Sequence, residues 1–191
     1  NEALQAYTIG DPNLPKVDIG PIINKNSKDR LMAHISALKK SARKTIEHHH
    51  KQNKGDLFIT PIVFEIDSIN QIDEENFGPI LHFIRYKNEN LQQVIDEINN
   101  TGYGLTMGVH SRIVSKARRI FEAANVGNFY FNRDIVGAVV GVQPFGGQGL
   151  SGTGPKAGGP GYLYNFVTEK TYTDNVMATG GNIELLNKNA M

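Results

Sequence analysis

At 191 residues, with 39% hydrophobic and 20% charged residues, the chain has the composition of one ordinary folded domain, a size that buries roughly 70% of its unfolded surface without help from disulfides or metals. Its 20 Lys and Arg are scattered among 19 Asp and Glu for a net charge of +1, which leaves no basic stripe and argues against nucleic acid as a partner. There is no cysteine, so no disulfide, cysteine-zinc site or thiolate nucleophile lies within these residues.

No apolar run approaches the roughly 20 residues of a membrane span. The start NEALQAYTIGDPNLP lacks the basic end and apolar core of a signal peptide, so the expected compartment is the cytoplasm. Residues 1–23, with Pro12, Pro15 and Pro21, read as an irregular lead-in. Ser27 is placed to cap a helix over about 27–42, in which Leu31, Ile35, Leu38 and Ala42 form one apolar stripe. The run LFITPIVFEI (57–66) suits an edge strand or a bulge, because Pro61 interrupts it. PILHFIRY (79–86) alternates cleanly and predicts a strand. Leu91, Val94, Ile95 and Ile98 give a helical stripe with Gly102 at its C′ position. LTMGVHS predicts a strand, residues 111–126 a helix with Ile113, Ala117, Ile120, Phe121 and Ala124 on one face, and NFYFN a further strand after Gly127. Strand and helix alternate from 57 to 132, which predicts an α/β fold with a mainly parallel, helix-covered sheet.

The pattern breaks at Arg133, and the stretch QPFGGQGLSGTGPKAGGPG (143–161) contains Gly147, Gly149 and Gly152 in the spacing G-x-G-x-x-G, with Glu169 beyond. A dinucleotide fingerprint needs a strand that delivers its glycines to a helix N-terminus. Here TGPKAGGPGY follows, and Pro155, Pro160 and the further glycines cannot form that helix. Lys156 is followed by Ala157, which also removes a P-loop. The residues fit better as a loop that packs closely on backbone or reaches a ligand with its own N–H groups.

Several motifs occur in the same order as in aldehyde dehydrogenases. PFGG followed by SG, DEENFGPI at 73–80, NNTGYGLTMGVHSR, GNFYFNR and YTIGDPNLPKVDIGPII together resemble the C-terminal part of that superfamily over essentially the whole chain. VGAVVGVQPFGG with SGTGPKAGGP looks like the L-glutamate γ-semialdehyde (Δ1-pyrroline-5-carboxylate) dehydrogenases, and TEKTYTDNVMATGGNIELL is similar to the segment closing that module in bifunctional proline utilization A proteins. The resemblance implies a C-terminal fragment of an NAD-dependent enzyme of proline catabolism that oxidises L-glutamate γ-semialdehyde to L-glutamate. It implies no catalytic residue in this chain, because the family's nucleophilic cysteine and most of its NAD-binding half belong to the N-terminal half of the polypeptide. The fragment alone is then inactive, and an upstream proline dehydrogenase domain with FAD is compatible with it.

By the same resemblance, Glu75 matches the carboxylate that holds the nicotinamide ribose and Phe77 the aromatic beside the nicotinamide. Gly137 and Ala138 match a loop whose N–H groups bind the α-carboxylate of the aldehyde, and Phe145 an aromatic lining the aldehyde passage. The plainer readings are a solvated turn at Glu75, a core anchor at Phe77, a packing plug at Phe145, and a turn ahead of AVVGV. His48, His49 and His50 point in different directions on any regular element and make no metal site. Residues 1–165 are expected to be a partial catalytic domain and 166–191 an oligomerisation strand with a tail. Within the latter TEKTYTD, from Thr168 to Asp174, resembles the family strand that crosses to a partner in a homodimer. Two other readings stand beside this one: an aldehyde dehydrogenase of different substrate preference, and a non-catalytic module for assembly or ligand capture.

Overall fold

The computed structural model describes residues 1–49, 55–152 and 154–175. His50 and most of the polar tail lie outside them. The chain divides into two units, one of Asn1–Tyr103 with Ser111–Asn125 and the other of Gly104–His110 with Val126–Met191.

The first unit opens on a short helix, α1 (Glu2–Ala6), followed by α2 (Lys25–Ser41). The cap of α2 is Asn24, whose side chain accepts a hydrogen bond from the Ser27 N–H at 2.8 Å. Ser27 is therefore the third residue of the helix and not its cap, because an asparagine three residues upstream offers the same kind of oxygen. Leu31, Ile35 and Leu38 are buried as their spacing predicts, and they meet Ile59, Ile62, Phe64 and Ile66 in the main core.

Three strands lie beneath this helix-bearing core in the order β1 (Lys44–Glu47), β2 (Ile62–Glu65), β3 (Ile80–Phe83). β2 runs parallel to β3, with Ile62 opposite Ile80, and antiparallel to β1, with Glu47 opposite Ile62. The Pro61 segment is thus the centre of the sheet, contrary to the edge strand its sequence suggests. The physical reason is position: Pro61 stands just before the strand, where its carbonyl accepts the His48 N–H at 3.2 Å and its missing donor is not required. β1 occupies the edge instead. Its sequence KTIE carries one apolar residue and reads as a polar link, since an edge strand has little surface to bury.

On the outer side of β1 the Gln5 side chain donates from Nε2 to the Glu47 carbonyl at 3.0 Å and accepts the His49 N–H on Oε1 at 2.7 Å. His48 is buried between these two positions, its Nε2 3.1 Å from the Tyr7 carbonyl.

After β3 the unit is completed by α3 (Leu91–Asn100) and α4 (Val114–Ala123). Gly102 takes a φ of 75°, the left-handed conformation expected of a C′ residue. Asn99 joins the two helices: its Nδ2 donates to the Ala123 carbonyl at 2.8 Å and its Oδ1 accepts the Asn125 N–H at 2.8 Å. On α4 only Ala117 and Ile120 are buried, whereas Ile113 and Phe121 are exposed. The helix buries a narrower stripe than the periodicity predicts, and it ends at Ala123, ahead of Gly127.

The second unit contains β5 (Thr106–Val109), preceded by the two-residue strand β4 (Tyr103–Gly104), and β6 (Asn128–Phe131). β5 and β6 pair in parallel, Thr106 opposite Asn128 and Val109 opposite Phe131. The glycine-rich segment then winds through β7 (Gln148–Gly149) to a 3-10 turn at Tyr162–Phe166. No α-helix follows the glycines among the described residues, so the architecture of a dinucleotide fingerprint is absent there. Residues 168–174 are fully on the surface and make no hydrogen bond to any described residue.

Candidate functional site

The five residues singled out by sequence fall into the two units, Glu75 and Phe77 in the first and Gly137, Ala138 and Phe145 in the second. Each group has its own local geometry.

In the first unit, the turn between Gln71 and β3 carries Glu75 and Phe77 outward, both exposed, with Phe77 at 89%. The turn is fixed to α2 by Arg30, whose Nη2 and Nε lie 2.6 Å and 3.3 Å from the two carboxylate oxygens of Glu74. This pairing holds the Glu74 carboxyl below the ordinary carboxylate range. Asn76 donates from Nδ2 to the Glu74 carbonyl at 2.8 Å and completes the turn. Glu75, Asn76 and Phe77, with Ile23, Ser27 and Arg30, line a recess of about 100 Å³. Ligand pockets usually exceed roughly 300 Å³, so this recess is too small for a whole dinucleotide. An exposed aromatic beside a free carboxylate can cover one flat ring and accept hydrogen bonds from a sugar, and Phe77 at this exposure is not the core anchor of the plainer reading.

The histidines scattered in the sequence are partly gathered by the fold. His34 on α2 and His82 on β3 stand with their Nε2 atoms 2.9 Å apart, and the His82 ring stacks on Phe64. Burial pushes both rings below the ordinary histidine value, opposed at His34 by Asp73 and Glu74 and reinforced at His82 by His34. The pair is therefore held neutral, one ring donating and the other accepting. The unfolded chain takes up protons first as pH falls through about 6.5, so stability is expected to be full above that pH and to drop below it. Urea midpoints measured from pH 7.5 to 5 check this; a His34→Asn, His82→Asn double variant should show a flatter profile. Among the described residues no group of three or more metal-ligating side chains occurs.

In the second unit, Gly137 adopts a φ of 69°, and a Cβ there would meet no atom within 4 Å. The glycine is required by backbone hand and not by crowding. Its carbonyl accepts the Tyr130 hydroxyl at 2.9 Å. The Gly137 and Ala138 N–H groups have no hydrogen-bond partner among the described residues. The next turn is closed by Gln143, whose Oε1 accepts the Val139 N–H at 3.0 Å. Successive backbone N–H groups of this kind are able to bind an anionic oxygen.

Phe145 is half-buried and pinned by backbone on both sides. It exchanges two 3.0 Å hydrogen bonds with Ala157. Asn128 brackets it, donating from Nδ2 to the Pro144 carbonyl at 2.9 Å and accepting the Gly146 N–H on Oδ1 at 3.1 Å. Lys156 reaches back to the Gly127 carbonyl. Asn128 and Tyr130 were not singled out by sequence reasoning. Their signal lay in the period of NFYFN: both fall on the buried face of β6, where a polar side chain must find a partner.

Helices set on partly parallel sheets, with an exposed glycine loop in one unit and a small aromatic-lined recess in the other, make an α/β architecture. The chain belongs to the aldehyde dehydrogenase family, whose model matches residues 1–172. The bifunctional protein PutA of Klebsiella aerogenes is 43% identical over 175 residues, 88% of this chain and 13% of that protein. A variant of Bradyrhizobium japonicum proline utilization A superposes with a TM-score of 0.82 at 50% identity, over 92% of this chain and 18% of its own. The 1-pyrroline-5-carboxylate dehydrogenase from Thermus, solved with NAD bound, gives a TM-score of 0.72 at 37% identity, over 86% of this chain and 32% of its own. The chain thus spans from about an eighth to a third of the length of these relatives.

Proposed function

We propose that this chain is part of an NAD-dependent dehydrogenase that oxidises L-glutamate γ-semialdehyde to L-glutamate in proline catabolism, the missing N-terminal half of the polypeptide supplying the nucleophile. The observation that carries this reading is the pair of N–H groups at Gly137 and Ala138, unpartnered among the described residues, a receptor for the α-carboxylate that separates this aldehyde from simple ones. Similarity to PutA and to the pyrroline-5-carboxylate dehydrogenases supports it.

The work of this chain is binding and orientation. The amides fix the carboxylate end of the substrate, and Phe145, held rigid by Asn128 and Ala157, shields the aldehyde passage from water. The exposed Glu75 carboxylate suits the hydroxyls of a ribose and Phe77 the flat face of a nicotinamide, and NAD bound there supplies the hydride acceptor. Fixing both partners lowers the entropic part of the barrier. No bond-breaking step falls to this chain, which has no cysteine. The segment 168–174, unpaired among the described residues, suits a strand donated to a second copy in a homodimer; deletion of it should leave a monomer in light scattering, and an unchanged dimer would remove that role.

The test is steady-state kinetics of the complete enzyme. Glu75→Gln keeps the shape but weakens acceptance from ribose hydroxyls, and charge-assisted hydrogen bonds contribute about 1.5–3 kcal/mol, so KM for NAD should rise about tenfold or more with KM for the aldehyde little changed. An unaltered KM for NAD overturns the cofactor assignment.

A further inference from the structure

Tyr130 lies on the buried face of β6, only 5% exposed, while its hydroxyl emerges at the loop and donates to the Gly137 carbonyl. Arg133 lies over the ring face, its guanidinium carbon 4.7 Å from the ring centroid. A peptide plane has its carbonyl and the following N–H on opposite edges. Fixing the Gly137 carbonyl toward the Tyr130 hydroxyl therefore aims the Ala138 N–H the opposite way, away from that hydroxyl. The surroundings would not impose this orientation, because nothing crowds Gly137 within 4 Å of where its Cβ would stand and its φ of 69° is freely exchanged by glycine.

We propose that Tyr130 is a positioning residue for substrate recognition: its hydroxyl sets the peptide plane between Gly137 and Ala138 so that the Ala138 N–H, beside that of Gly137, is presented to the carboxylate of the aldehyde. The role rests on the reading of this loop as the carboxylate anchor. Tyr130 touches no substrate atom itself; it acts by keeping a flexible glycine in one of several accessible orientations, and so reduces the ordering that binding must impose.

Tyr130→Phe removes one oxygen and leaves the ring packing in place, so the variant folds. In the complete enzyme the quantity to measure is the ratio of kcat/KM for L-glutamate γ-semialdehyde to that for a four-carbon aldehyde without a carboxylate. Loss of one ordinary hydrogen bond should lower that ratio about five- to tenfold, chiefly through KM of the semialdehyde, and titration with L-glutamate should show a matching loss of affinity. A purely structural effect lowers both rates together and leaves the ratio unchanged, which overturns the proposal. If the unaltered enzyme itself does not prefer the carboxylate-bearing aldehyde, the anchor reading fails as well; if it does and Tyr130→Phe keeps the preference, only the role of Tyr130 falls.

Discussion

Replacing Phe64 by alanine is expected to cost about 3–5 kcal/mol, the range for truncating a fully buried aromatic. Phe64 is 0% exposed on the central strand and belongs to the cluster that includes Leu31, Ile35 and Leu38 of α2. Its ring also backs His82. The site cannot collapse easily, because β2 is hydrogen-bonded on both sides, to β1 and to β3, and a strand so held does not move into a void. Domains are typically stable by about 5–15 kcal/mol, so Phe64→Ala should remove a large share of the margin. Urea unfolding followed by far-UV circular dichroism checks this: the midpoint should fall sharply with the slope retained. A loss below about 1 kcal/mol would contradict the packing described for this core.

Gly127→Ala should be comparably damaging for a different reason. A Cβ on Gly127 would stand 1.7 Å from the Gly146 carbonyl oxygen and 2.7 Å from its carbon. The obstacle is backbone, which cannot rotate away as a side chain can. The Gly146 N–H is also bonded to Asn128, one residue along, so moving the loop breaks a part-buried hydrogen bond as well. Overpacking typically costs about 1–3 kcal/mol, and the added bond loss puts the expected cost at about 3 kcal/mol. Gly141→Ala is the control: its φ is 79° but nothing lies near it, so it should cost only the left-handed backbone, about 1–2 kcal/mol. Denaturant midpoints of the two variants should separate accordingly, and equal midpoints would mean the close approach at Gly127 relaxes freely.

The larger elements were legible in sequence because their burial is regular. Leu31, Ile35 and Leu38 sit on one face of a helix, and the alternation around Ile80 and His82 belongs to a strand. What escaped was governed by partners distant in the chain. KTIE becomes β1 only because β2 lies beside it, and Pro61 is tolerated at the sheet centre only because the strand starts one residue later. The site was half legible. Glycines and an aromatic mark the loop, but the backbone donors of Gly137 and Ala138 have no letter in a sequence, and the hydroxyl bonded to the peptide between them comes from Tyr130, seven residues upstream on β6. G-x-G-x-x-G could be set aside from the sequence, because Pro155 and Pro160 forbid the helix it needs, and the contacts nearby, such as Gly127 against Gly146, are about room for backbone.

The carboxamide of Gln5, which gives one donor and takes one acceptor on the open side of β1, does there what a peptide group of a fourth strand would do. One side chain stands in for a strand at the point where the sheet would otherwise offer an incoming chain its first pair of hydrogen bonds. Exposed edges are where sheets recruit unwanted partners, so the residues ahead of α2 serve the sheet as a plug against self-association, a task that a segment rich in prolines could not perform by joining the ladder itself.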